Sequence, residues 1–250
     1  MINLNTQKLI WEKQIKNEYE KYQIFISDNN MPKYKVNFID STKNKVPYSM
    51  EVLTQKNPMI LNINMGFLVG KSGKHCQPNL YHEFTHMWDH NNLFHSKDPK
   101  ERKSVLSLYT EYHASQIEFL RFVEFESINS AKRINSKDRF YEFDKEETVF
   151  EYYNDRCQLL SESISNYNIE VSTGNYKAVI DSYMYVFGIK SIYDKYIDDI
   201  ELPQVTSIFH ENMINMYSLL QDYKIEKLWE ILLDCSKIFD NLHILNSIKD

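Results

Sequence analysis

Two histidines four residues apart, with a glutamate beside the first, stand in the stretch Pro78 to His90, "PNLYHEFTHMWDH". On an α-helix, positions i and i+4 share a face one turn apart, so His82 and His86 can aim imidazole nitrogens at one metal ion. Glu83 projects beside them. This is a pattern for metal-assisted hydrolysis: zinc supplies Lewis acidity, and Glu83 takes a proton from the water that zinc activates. Chance is a weak competitor, because a chain of this length and composition is expected to contain on the order of 0.02 such matches.

A catalytic zinc site takes three protein ligands and leaves the fourth position to water. A histidine six residues past His86 would fall on Asn92, and the glycine that accompanies it would fall on Asp89, so the metzincin spacing is absent. Glu111, in "YTEYHASQIEF", is the leading third ligand, since a carboxylate on a helix packed against the first can reach the same ion. Glu118, two turns further on, and His95, in the intervening segment, stay open as alternatives. His113 falls on the opposite side of its helix from Glu111 and takes no role. Asp89 and His90 read as partners of the ligands or as a solvated helix end, and Cys76 as a buried thiol. "GFLVGKSGK" imitates a phosphate-binding loop, but Met65 occupies the place of the first glycine.

Taken together, "HEFTH" and "TEYHAS" resemble the gluzincin zinc metallopeptidases, in which a glutamate on a second helix completes the site, often within Glu-x-x-Ala-Asp/Asn. Glu111 and Ala114 match that pattern, and Ser115 stands at its last position. The layout over about residues 34–125 is most similar to the ImmA/IrrE-type peptidases. The resemblance implies a zincin-like catalytic unit that cleaves peptide bonds in a peptide or protein, with Zn2+ held by His82, His86 and Glu111 and Glu83 as general base. It also implies that the strand over 59–69 rims the cleft and pairs with an extended substrate; the plainer reading is an ordinary sheet strand beneath the motif helix. A non-catalytic zinc-binding regulatory or partner-binding protein on the same scaffold is the alternative.

The elements that must position these residues are legible as periodicities. Loose three-to-four spacing predicts a helix over 5–26. Alternation in "YKVNFID" and "YSMEVL" predicts two strands, and the strict alternation from Met59 to Val69 a third. Pro78 suits the first turn of the motif helix, and a second helix is expected over 100–128. Residues 129–140 read as a linker, and helical patterns follow over 143–165, 175–197, 204–221 and 224–246. The expected fold is α+β: a catalytic unit over 1–135 (N-terminal helix, small twisted sheet, motif helix, glutamate helix) and an all-helical unit over 136–250 that walls or covers the cleft.

Composition bounds the partners. The 250 residues carry a net charge of −6, with 18 Lys+Arg against 14 Asp+Glu over 1–135 and 11 against 21 over 136–250. So acidic a second half argues against nucleic acid. Three cysteines without a CxxC spacing indicate neither a disulfide framework nor a cysteine zinc site. No signal-peptide run begins the chain and no window has the apolar length of a membrane span, so a cytoplasmic protein without membrane contact is expected.

Overall fold

The computed structural model describes residues 4–40, 49–68, 73–130, 132–142, 145–169, 176–197, 211–221, 227–235 and 237. It is a mixed α+β protein, mostly helical, that packs as two compact units interleaved in sequence. One comprises residues 1–93, 117–132 and 139–147, the other 94–116, 133–138 and 148–250. The course of the chain therefore differs from a single cut after residue 135. Among the described residues, no helix is long and apolar enough to cross a membrane.

The first unit contains α1 (Leu4–Ile26), β1 (Tyr34–Ile39), β2 (Met50–Leu53), β3 (Met59–Asn64), the short α2 (Met65–Leu68), α3 (Gly73–Asn92) and the end of α4 (Pro99–Phe122). The strands form a sheet in the order β1-β3-β2, with β1 parallel to β3 (Tyr34 opposite Met59) and β2 antiparallel to it (Met50 opposite Ile63). This corrects the expectation of a cleft-rim strand: β3 is the central strand, its backbone paired on both sides, so it has no free edge to offer a peptide. The strand also stops at Asn64, because the Asn64 side chain accepts from the Gly66 amide (2.9 Å) and the chain turns into α2. Alternation alone could not reveal that turn.

Pro78 lies inside α3 rather than in its first turn. One side of α3 packs on α1 through aromatic contacts: Tyr22 meets Tyr81 and Phe84 edge-on at 5.2 and 5.6 Å, and Phe25 meets Tyr81 at 5.4 Å. The fully buried Tyr22 hydroxyl donates to Thr85 Oγ1 (3.0 Å), and Thr85 donates its own proton to the Tyr81 carbonyl (2.8 Å), so no polar atom of that pair is stranded. α4 begins at a cap in which Asp98 Oδ1 accepts from the amides of Lys100 and Glu101 (2.9 and 3.1 Å), with Pro99 at the first helical position. It ends at Phe122 rather than 128, because Glu124 adopts a positive φ (58°) and the Phe125 amide donates back to the Leu120 carbonyl (2.9 Å), with Phe125 fully buried.

Residues 139–148 hold a second correction. Where the sequence reading has linker and then helix, β4 (Arg139–Glu142) and β5 (Lys145–Thr148) form a two-stranded sheet, so the part of the chain after 136 is not all-helical. Helix starts only at Val149, the first residue of α5 (Val149–Ile169), behind a capping box: Thr148 Oγ1 accepts from the Glu151 amide (3.1 Å) and Glu151 Oε2 from the Thr148 amide (2.8 Å). The Thr-x-x-Glu signal was present in the sequence. The second unit also contains the first part of α4, α6 (Tyr176–Tyr196), α7 (Glu211–Gln221) and a helical segment at 228–235. The rest of the helices expected over 204–221 and 224–246 lies outside the described residues.

Within the second unit, α4 and α6 approach at Gly188. A Cβ there would stand 1.9 Å from Ser115 Oγ and 2.3 Å from the Tyr112 carbonyl oxygen, and a backbone atom cannot swing aside. Gly188→Ala should therefore destabilise the protein by about 1–3 kcal/mol or more, read as a lowered urea midpoint; an unchanged midpoint would refute this crossing. Burial pushes the phenols of Tyr34 and Tyr81 up to about 12, whereas unfolded tyrosines titrate near 10. The stability they contribute is complete below pH 10 and is lost as pH rises toward 12, so the denaturation midpoint should fall between pH 9 and pH 11.5.

Candidate metal centre

The side of α3 away from α1 carries Asn79, His82 and His86, at the spacing i, i+3, i+7 that makes one helical stripe. The two imidazoles lie edge to face, ring centres 4.7 Å apart and planes at 82°. His82 Nδ1 is 3.0 Å from Glu118 Oε2, and Glu118 Oε1 accepts from Asn79 Nδ2 at 3.1 Å. Glu118 is only 5% exposed. An ionised carboxylate can only accept, so with Glu118 ionised the shared proton would sit on Nδ1 and the lone pair on Nε2.

The C-terminal end of α4 is held against α3 by a polar chain within the first unit. Arg121 donates to Gln77 and to the Phe125 carbonyl, Gln77 donates to Glu18 on α1, and the guanidinium lies over the rings of Tyr81 and Phe25 at 5.3 and 5.7 Å. The pairs Gln77 with Arg121 and His82 with Glu118 show numbers rising on α3 as they fall on α4. One ligand atom from each of His82, His86 and Glu111 lies within 4.8 Å of the other two.

The donor set fits zinc: two imidazole nitrogens and one carboxylate. Tetrahedral ligation at about 2.0–2.2 Å puts ligand atoms roughly 3.4 Å apart, so the three side chains need close by only about 1 Å to surround an ion. His86 is 9% exposed, and Glu83, next to His82 in sequence on α3, is partly exposed to solvent.

Other residues singled out from the sequence fall elsewhere. Glu118 is not in the ligand group; it is spent on the far nitrogen of His82. His95 is exposed and also outside the group, and His113 stacks on Tyr109 at 5.4 Å. Asp89 is fully buried, not part of a solvated helix end, and adds to the upward shift that burial imposes on the Tyr22 phenol. Cys76 is buried, as expected of a thiol without a ligand role.

What sequence reasoning missed is a cavity of about 290 Å³ in the second unit, bordered by Glu111 together with Arg156, Asp181, Ser182, Tyr185, Leu160 and Val186. The Tyr185 hydroxyl is hydrogen-bonded to that of Tyr152 (3.1 Å), and the Arg156 guanidinium lies over both rings at 4.6 and 5.9 Å. Among 18 tyrosines nothing in spacing singles out Tyr185; only the packing of α5 and α6 does. The cavity is large enough for one or two side chains.

If this group binds zinc, the ion at about 100 times its Kd stabilises the fold by about 2.7 kcal/mol. The zinc-dependent rise in Tm should vanish in His86→Ala and Glu111→Ala and persist in His95→Ala and His113→Ala. Loss of the rise in the last two variants would show that the ligands are wrongly assigned. Comparison with protein-family models, with curated proteins and with solved structures gives no significant match to this chain, so a functional reading rests on the residues and their geometry.

Proposed function

We propose that this chain is a zinc-dependent metallopeptidase of gluzincin type, similar to the ImmA/IrrE-type peptidases, that hydrolyses peptide bonds of a peptide or protein substrate. The observation that carries the reading is the convergence of His82, His86 and Glu111 from two helices, with Glu83 between the histidines. A His-Glu-x-x-His match can arise by chance, but a carboxylate near both imidazoles is an independent coincidence.

When bound, zinc supplies Lewis acidity toward the scissile carbonyl and lowers the pKa of water. The chain's own residues do the rest. His82, His86 and Glu111 orient the site and leave a position open. Glu83 takes a proton from the attacking water and delivers it to the leaving amine, which turns a poor leaving group into a neutral one. The cavity beside Glu111 offers room for a substrate side chain, with Leu160 and Val186 as its apolar wall.

Glu83→Gln separates a peptidase from a zinc protein that cleaves nothing. On a casein-derived peptide mixture analysed by mass spectrometry, the substitution should lower cleavage by about 10²–10⁴-fold while the zinc content by elemental analysis stays near one per chain. Wild-type protein that binds zinc but cleaves no peptide in such a mixture would favour the non-catalytic alternative, and wild-type protein that takes up no zinc would end the peptidase reading.

A further inference from the structure

We infer that Glu118, held by Asn79, is the residue that positions His82 toward the metal, taking over a contact that the Glu-x-x-Ala-Asp/Asn pattern would have placed on residue 115. The inference deepens the proposed zinc site and rests on it. Residue 115 is unsuited to the task in this chain. Ser115 is fully buried, its hydroxyl donates to the Tyr112 carbonyl (3.0 Å), and Gly188 packs directly against it. A longer Asn or Asp would have to occupy space that α6 already fills.

Glu118 lies seven residues past Glu111, two helical turns along and on the same face of α4. There Glu118 Oε2 meets His82 Nδ1 at 3.0 Å and Oε1 meets Asn79 Nδ2 at 3.1 Å, so each carboxylate oxygen has one partner on α3. The bonds fix three things about His82: the tautomer, with the proton on Nδ1; the ring orientation; and the basicity of Nε2, which a carboxylate on the opposite nitrogen raises. Asn79 Oδ1 is buried without a hydrogen-bond partner in this structure, so the amide is used for its donor alone, to hold Glu118. Glu118 thus acts through His82 as a positioning residue and does not touch the substrate.

Glu118→Gln and Glu118→Leu separate the contributions. Gln still offers an oxygen to the Nδ1 proton, and its NH2 group finds an acceptor if Asn79 turns its amide over; Leu offers nothing. Zinc affinity is measured by competition with a chromophoric chelator, the visible spectrum of the cobalt form reports ligand geometry, and the urea midpoint of metal-free protein reports folding. The expected result is zinc binding weakened by about 10–100-fold in Glu118→Leu, less in Glu118→Gln, with a cobalt spectrum altered in the first and preserved in the second.

Wild-type zinc affinity in Glu118→Leu, with binding abolished by His86→Ala, would overturn the positioning role and leave the zinc site standing. Equal losses in the two variants, matched by equal losses of metal-free stability, would also overturn it, since a merely structural residue behaves that way. No zinc uptake by the wild type would overturn the inference together with the site on which it rests. If Glu118→Leu does not fold, the Gln variant decides: a measurable weakening of zinc binding with a preserved cobalt spectrum and unchanged metal-free stability supports the positioning contact, and either wild-type affinity or a loss as large as that of His86→Ala refutes it.

Discussion

A carboxylate buried between two helices sets the terms for this site. Removing the Glu118 charge from water is costly unless hydrogen-bond donors replace the lost solvent, and Asn79 Nδ2 and His82 Nδ1, both on α3, lie at hydrogen-bond distance from it. The requirement acts in both directions. Sliding α3 past α4, or rotating His82, would break these bonds. Arg121 reinforces the same register from the end of α4 through Gln77 and the Tyr81 ring. α4 continues unbroken from Glu118 back to Glu111, two turns away.

The other face of α3 shows how one helix serves two masters. Tyr81, Phe84 and Thr85 are committed to the aromatic layer on α1, and the hydroxyls of Tyr22 and Thr85 satisfy one another inside it. A helix so anchored on its apolar side can hold polar side chains rigidly on the opposite side, which is the preorganisation a metal site needs. The stripe Asn79, His82, His86 has few degrees of freedom left once Phe84 is packed. In the second unit, the close approach of Gly188 to Ser115 and Tyr112 leaves no room for a longer side chain at position 115.

The peptide-binding role imagined for the third strand illustrates a limit of pattern. Period-two alternation says that one face is buried; it does not say whether the strand's edges are paired. β3 alternates clearly and sits in the middle of its sheet, between β1 and β2. Any segment that contacts an extended substrate must therefore lie elsewhere. The cavity beside Glu111, built from α5 and α6 residues more than 40 positions further along the chain, could not be read from local spacing at all.

The sequence by itself determined what is local. The i, i+4 spacing of His82 and His86 followed from helical geometry, and α1, β1, β2 and α6 appeared close to where their periodicities put them, since burial of one face is written in the residues of that face alone. It also narrowed the third ligand to three candidates, because carboxylates and histidines near the motif are few. Only the tertiary structure distinguishes their surroundings. Glu111 and Glu118 share one face of one helix and are equivalent to any argument from periodicity; only the folded chain shows Glu118 on the Nδ1 side of His82, and a carboxylate oxygen of Glu111 within 4.8 Å of one nitrogen on each histidine. Contacts between elements distant in the chain depend on how two surfaces mesh, and a one-dimensional pattern does not carry that information.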